Sequence, residues 1–250
     1  MKNKGEDWSI KVENLERRFG NFTAVNKISF SVRRGEIFGL LGANGAGKTT
    51  TLRMLCGLLT PSSGKALIDG TDVAVQPEEV RFKIGYMSQR FSLYEDLTVW
   101  ENFRFYGGVY GMKGQKIRQK FEELSQRLHF SEQAGRLTRD LPLGWKQKLA
   151  FMVAAFHNPP VIFLDEPTSG VDPMVRRQFW DLIYEAALAG TTLIVTTHYL
   201  DEAMYCDRLA IMAEGAISAC GTPEGILHQY SAESMQEVFL KIAGKEALLR

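Results

Sequence analysis

The stretch Gly42-Ala43-Asn44-Gly45-Ala46-Gly47-Lys48-Thr49-Thr50 decides how the rest of the chain is read. It fills every fixed position of G-x-x-x-x-G-K-S/T. The apolar run Ile37-Phe38-Gly39-Leu40-Leu41 precedes it and helix-compatible residues from Thr51 to Leu55 follow it, the strand-loop-helix setting that the motif requires. Glycines at 42, 45 and 47 let the backbone curl so that successive N–H groups point at a phosphate chain, and the helix N-terminus adds the positive end of its dipole. Lys48 then reaches the β- and γ-phosphates, and the Thr49 hydroxyl binds Mg²⁺. A chance glycine-rich turn before a helix would not fill all the fixed positions in this setting, so the stretch predicts nucleotide binding.

Outward from the loop, the next chemistry-bearing stretch is Val161-Ile162-Phe163-Leu164-Asp165-Glu166. Its apolar run reads as a buried parallel strand, and carboxylates at the C-terminal end of such a strand emerge where open α/β sheets bind ligands. Two solvated acids opening a loop are common; the phosphate loop upstream is what favours chemistry. Asp165 is expected to hold Mg²⁺ through water and Glu166 to polarise the attacking water. A second apolar strand, Thr192 to Thr197, ends at His198. Most histidines satisfy a local hydrogen bond, but this one follows a strand on the same sheet edge as Asp165, which suits it to a γ-phosphate contact. His129, His157 and His228 lack that setting and read as structural or surface residues.

The 250 residues can bury a substantial core, and a composition of 45% hydrophobic and 24% charged residues is that of an ordinary globular chain. A net charge of +1 provides no polybasic surface, so nucleic acid is not an expected partner. Cys56, Cys206 and Cys220 are odd in number and form no C-x-x-C pair, which favours a reduced, cytosolic chain over a disulfide framework. Met1 to Asp7 is polar and lacks the apolar core of a signal peptide. No apolar run approaches the roughly 20 residues that cross a bilayer, so any membrane role is expected to pass through a partner.

In chain order, Ile10, Val12 and Leu15 suggest a first strand and Ile28 to Val32 a second, with Arg17-Arg18-Phe19-Gly20 and Ala24-Val25 between them. Further strands are expected at Ala66 to Ile68 and Ile84 to Ser88. From Thr98 the period changes. Thr98-Val99-Trp100-Glu101 is a capping box opening a helix through Tyr106, which Gly107-Gly108 should end. Ile117, Phe121, Leu124 and Leu128 share one helical face, and Leu149, Met152, Val153 and Phe156 another. Strand-helix alternation resumes beyond Pro159-Pro160, with a helix from about Pro173 to Leu188, a hairpin around Glu214-Gly215 and two last helices after Thr222-Pro223. The reading is one α/β domain over 1–250: a nucleotide-binding core from 1–89 and 159–220, a helical insertion at 90–158, and C-terminal helices at 221–250.

Taken together these motifs resemble those of the ATP-binding cassette (ABC) ATPases, in the family's order and over nearly the whole chain. The resemblance implies a P-loop NTPase core with a mixed sheet, an antiparallel β subdomain and a helical subdomain. It implies ATP as substrate, bound by Gly42, Asn44, Gly45, Ala46, Gly47, Lys48, Thr49 and Thr50 of the Walker A loop. Phe19 matches the aromatic that stacks on adenine, with Val25 nearby. Mg²⁺ falls to Thr49, the Q-loop glutamine Gln89 and Asp165, and the catalytic pair is Glu166 with the switch histidine His198. Ser169-Gly170-Val171-Asp172 looks like the D-loop.

One motif departs from the pattern. In place of Leu-Ser-Gly-Gly-Gln the chain has Leu141-Pro142-Leu143-Gly144-Trp145, followed by Lys146-Gln147-Lys148-Leu149. In the family this signature closes on the γ-phosphate held by a second cassette, in a homodimer or a heterodimer. Pro142 offers neither hydroxyl nor N–H and Leu143 adds bulk, which leaves Gly144 and a helix N-terminus to meet the partner's nucleotide. The text is most similar to ATPases of bacterial exporters with ABC-2-type permeases, implying a protein bound through its permease to the cytoplasmic face of the membrane. Phe91-Ser92-Leu93-Tyr94 is a candidate docking surface, with packing inside the domain as the alternative. A soluble cassette ATPase working on ribosomes or DNA is the competing reading, disfavoured by one cassette, no sustained heptads and a charge near zero. A GTPase is weaker still, because Asn26-Lys27-Ile28-Ser29 lacks the aspartate of Asn-Lys-x-Asp.

Overall fold

In the computed structural model, residues 8–89 and 91–248 are described, with side chains up to Ile242. Strands β1 (Trp8–Phe19) and β2 (Phe22–Arg33) form one long antiparallel hairpin closed by Gly20 and Asn21. The sequence pattern predicts two shorter strands with an irregular connection. The difference lies in four register shifts along the pairing, between Trp8 and Ile10 and again beyond Val12, because each bulge resets the two-residue alternation that marks a strand. After β3 (Ile37–Leu41), β4 (Ser63–Ile68) pairs with β1 and β5 (Thr71–Asp72) with β4, giving a four-stranded antiparallel sheet.

The second sheet has the order β10-β9-β3-β8-β7-β6 and places the chemistry. It uses β6 (Ile84–Met87), β7 (Val161–Asp165), β8 (Thr192–Thr197), β9 (Arg208–Ala213) and β10 (Ala216–Gly221). All neighbours are parallel except the β9–β10 hairpin. Every residue of β3, β7 and β8 is buried, which is why the centres of these strands read as apolar runs without alternation. Register pairs Leu41 with Thr197, Asp165 with Thr196 and Met87 with Leu164. The segments that follow β3, β6, β7 and β8 therefore leave the sheet at one edge, carrying the phosphate loop, Gln89, Glu166 and His198.

Helix α1 (Lys48–Leu55) follows the loop, and α2 (Pro77–Lys83) precedes β6. The second was not anticipated, although Pro77 at its start and Glu78 and Glu79 in its first turn are ordinary start signals. Between β6 and β7 lie α3 (Val99–Val109), α4 (Gly114–Arg127) and α5 (Leu143–Ala155). The Thr98–Glu101 capping box forms with both bonds present. Contrary to expectation, α3 runs through Gly107 and Gly108. Gly107 is a packing glycine: a Cβ there would lie 3.0 Å from Ile117 Cδ1. Phe103 is fully buried at the centre of this region, edge-to-face with Phe121 and Phe156, so its truncation to alanine would cost about 3–5 kcal/mol. Helix α6 (Pro173–Leu188) spans the predicted range, capped by Asp172, and α7 (Pro223–Gln229) and α8 (Met235–Leu248) close the chain.

Candidate active site

The phosphate loop turns into α1 through Gly47, whose φ is 100° and where a Cβ would lie 2.7 Å from the Ala24 carbonyl oxygen. Only glycine fits both demands. No side chain caps α1 and no acid stands in its first turn, so its N–H groups and dipole face an anion without competition. The Lys48 side chain is only 4% exposed; Nζ donates to the carbonyls of Gly42 (2.7 Å) and Ala43 (3.2 Å) and lies 3.2 Å from Glu166 Oε1.

Glu166 is where the segments meet. Its Oε2 accepts from Gln89 Nε2 at 3.0 Å and faces His198 Nδ1 at 3.0 Å. Its backbone sits at φ 49°, a left-handed conformation that costs a non-glycine residue about 1–3 kcal/mol and persists only where the surroundings enforce it. The Glu166 N–H donates to Thr196 Oγ1 (2.9 Å) and to the Thr196 carbonyl (3.2 Å), and this is part of that enforcement.

Asp165 Oδ1 accepts from Thr49 Oγ1 at 3.1 Å and from Thr196 Oγ1 at 2.8 Å, while Oδ2 is buried without a hydrogen-bond partner. Burial pushes this carboxyl above its ordinary range, against the hydrogen bonds from Thr196 and Thr49 that pull it down. An unpartnered carboxylate oxygen beside the Thr49 hydroxyl, with the Gln89 amide nearby, is an all-oxygen donor set that suits Mg²⁺. Among the described residues no group of three or more His, Cys, Asp or Glu is placed to hold a metal.

A cavity of about 330 Å³ opens over these groups, lined by Asn44, Gly45, Gly47, Lys48, Thr49 and Thr50, by Gln89 and Glu166, and by Phe22 and Ala24 of β2. A larger one, about 520 Å³, opens beside Pro160 and Thr191 at the opposite ends of β7 and β8. It holds none of the phosphate-loop or strand-end residues that the smaller cavity gathers.

Some expected site residues are not brought to the cavity. Gly42 and Ala46 are buried beneath the loop and shape it. Val25 is completely buried in the core between the sheets, so its side chain cannot touch a bound base. Phe19 pairs with Phe22 at the hairpin end and lies under the Arg17 guanidinium; of the two it is Phe22, 64% exposed, that borders the phosphate loop. Gly144 lies near the start of α5 against α6, where a Cβ would come 2.7 Å from Val175 Cγ1. Within this chain its smallness serves helix packing. The Phe91–Tyr94 stretch divides: Leu93 is buried and Phe91 packs on the helical core, whereas Tyr94 is half exposed, edge-to-face with Phe105.

Two contributors escaped the sequence reading. Phe22 carries the signal of an aromatic beside a hairpin turn. Gly215, in the β9–β10 turn, carries none that reveals its role: its N–H donates to the Ala46 carbonyl and its own carbonyl accepts from Asn26 N–H. It braces the phosphate loop against β2, and a Cβ there would lie 2.8 Å from the Ala24 oxygen.

With this geometry in place, comparison with known proteins is direct. Residues 25–169 match the family described as ABC transporter. The chain is 45% identical over 238 residues to the probable multidrug ABC transporter ATP-binding protein YbhF of Escherichia coli, covering 93% of this chain and 41% of that one. It thus spans about two fifths of that relative's length. It is 36% identical to the Nod factor export ATP-binding protein I of Ralstonia nicotianae, covering 91% of this chain and 71% of that protein. The solved structure of an ATP-binding subunit of an ABC transporter superposes with a TM-score of 0.84 at 28% identity, covering 94% of this chain and 99% of that one. The chain belongs to the ABC transporter family. Within it, the chain's relatives are named as ATP-binding proteins of transporters, a Nod factor export protein among them. Nothing in these matches favours work on ribosomes or DNA. Among the described residues no helix is long and apolar enough to cross a membrane.

Proposed function

We propose that this cassette hydrolyses Mg-ATP at the cytoplasmic face of a membrane and drives export through a separate permease of the ABC-2 type, paired with a second cassette. The names of its relatives, a probable multidrug transporter and a Nod factor exporter, support the outward direction. The observation that carries the catalytic reading is the convergence of Lys48, Gln89 and His198 on the single carboxylate of Glu166.

Each residue has a role on this reading. Lys48 exchanges the Gly42 and Ala43 carbonyls for the β- and γ-phosphates, and α1 directs its free N–H groups at the same anion. Thr49, Asp165 and Gln89 hold Mg²⁺, which when bound neutralises charge on the phosphates. Glu166 accepts a proton from the attacking water, Gln89 orients that water, and His198, engaged through Nδ1, presents Nε2 to the γ-phosphate. The purine rests against the hairpin end formed by Phe19 and Phe22. The N-terminus of α5 has no side-chain cap, and its backbone donors stand in for the missing signature serine toward the partner's nucleotide. Tyr94 and Phe105 offer the permease an exposed aromatic surface beside Gln89.

Glu166→Gln keeps the shape and removes the base. Turnover should fall by roughly 100- to 10,000-fold, the range for losing a general base, while ATP binding persists. ATP hydrolysis at the normal rate in that variant would remove Glu166 from the role.

A further inference from the structure

Glu166 and His198 sit on different segments, and a third carboxylate ties those segments together. Glu202 lies in a short 3-10 turn (Leu200–Tyr205), four residues past His198, and is completely buried. Thr168, two residues past Glu166 and also buried, donates its hydroxyl to Glu202 Oε1 at 2.6 Å. From α6, Arg176 brings Nε to 3.7 Å from the same oxygen and Nη1 to 3.3 Å from Asp201, with its guanidinium 3.9 Å over the Tyr199 ring. The start of α6, the loop after Glu166 and the turn after His198 are thereby joined.

Stability alone is a poor reason for this cluster. A buried ion pair often does no better than apolar packing of the same volume, and here Glu202 Oε2 and Arg176 Nε are both buried without hydrogen-bond partners. A carboxylate supplies what apolar packing cannot, a directional bond. Glu166 requires one on each side, since its left-handed backbone persists only where it is over-determined. On the N-terminal side its N–H is held by Thr196; on the C-terminal side Thr168 is held by Glu202. Both ties lead to the stretch that carries His198.

We propose that Glu202, acting through Thr168, is a positioning residue for hydrolysis that fixes the spacing of Glu166 and His198, with Arg176 compensating its charge and linking the tie to α6. The proposal rests on the reading of Glu166 and His198 as the hydrolytic pair.

Thr168→Val keeps the branched shape and removes the donor; Thr168→Ser keeps the donor. In the Val variant kcat for ATP should fall by roughly 10- to 100-fold, the effect of about an ångström of misplacement, with KM and ATP affinity changed by no more than about twofold. The Ser variant should recover most of the rate. In a His198→Ala background the Val substitution should cost clearly less than in the unmodified chain, because the tie then positions Glu166 alone, whereas an independent structural effect would add in full. A normal kcat for Thr168→Val, or full additivity with His198→Ala, overturns the proposal. Failure of the underlying reading looks different: Glu166→Gln would then turn over ATP normally. Should Thr168→Val fail to fold, Glu202→Gln takes its place, with the same kcat-selective loss expected and an unchanged kcat counting against the tie.

Discussion

Two helices of this cassette begin alike and are furnished differently. Neither α1 nor α5 has a side-chain cap or an acid in its first turn, so each presents backbone donors and a positive dipole end. Around α1 the chain adds a buried lysine, the Thr49 hydroxyl and the adjoining carboxylates. Around α5 it adds Pro142, the half-exposed Leu143, which lies close to Gly170, and Gly144 pressed against Val175. A helix N-terminus is only a weak anion site until side chains supply charge and fix geometry. On the proposed reading the start of α1 grips a nucleotide by itself, while that of α5 completes a grip made by another chain.

The strongest way to break this contrast is Lys48→Ala. Losing charge-assisted bonds worth about 1.5–3 kcal/mol each should weaken ATP binding by roughly 10- to 100-fold in calorimetry, and equal affinity would mean that α1 needs its lysine no more than α5 does. The double change Pro142→Ser with Leu143→Gly sharpens the other side. If a hydroxyl contact limits the rate, turnover should rise about tenfold, the value of one hydrogen bond to a charged group; an unchanged rate would show that backbone donors suffice. A smaller effect tests how far the α1 site extends onto β2. Phe22→Ala should weaken ATP by about fivefold, near the lower end of base-stacking energies of ~1–3 kcal/mol, with Phe19→Ala weaker in effect; the reverse order would return the adenine platform to Phe19.

The smallest effect on ATP is expected at the far end of α5. His157 stacks on Tyr110 at 3.5 Å, and burial holds its pKa down at about 4, against 6.5 for an ordinary histidine. The unfolded chain therefore binds the extra proton first. This contribution to stability is intact above about pH 6.5 and is lost as pH falls toward 4. Thermal denaturation across that window should show the loss, and His157→Phe should flatten it without changing ATP affinity at neutral pH.

Much of the site was legible because its residues lie in local motifs at strand ends. Gly42 to Thr50, Asp165 with Glu166, and His198 each follow an apolar strand, and parallel register carries those strand ends to one edge. What escaped detection depends on long-range approach. Val25 reads as a nucleotide neighbour but is completely buried in the core, and it is Phe22, beside the hairpin turn, that borders the phosphate loop. Gly215 meets Ala46 and Asn26 from 169 or more positions away in the chain, and no local pattern encodes that meeting. Gly107 looked like a helix stop because a sequence does not say that Ile117 will lie against it. The tie between Thr168 and Glu202 has the same character, two unremarkable residues made significant by the fold.

The bond between Lys48 and Glu166 has a last consequence. On the proposed reading, the ammonium that pairs with Glu166 is the one the phosphates require, so nucleotide and carboxylate compete for Lys48. On that reading, arrival of the nucleotide would draw Lys48 away from Glu166 toward the phosphates. Nucleotide recognition would thus begin with an ion exchange, and a molecule that fills the cavity without drawing Lys48 away would leave the Lys48–Glu166 pair intact.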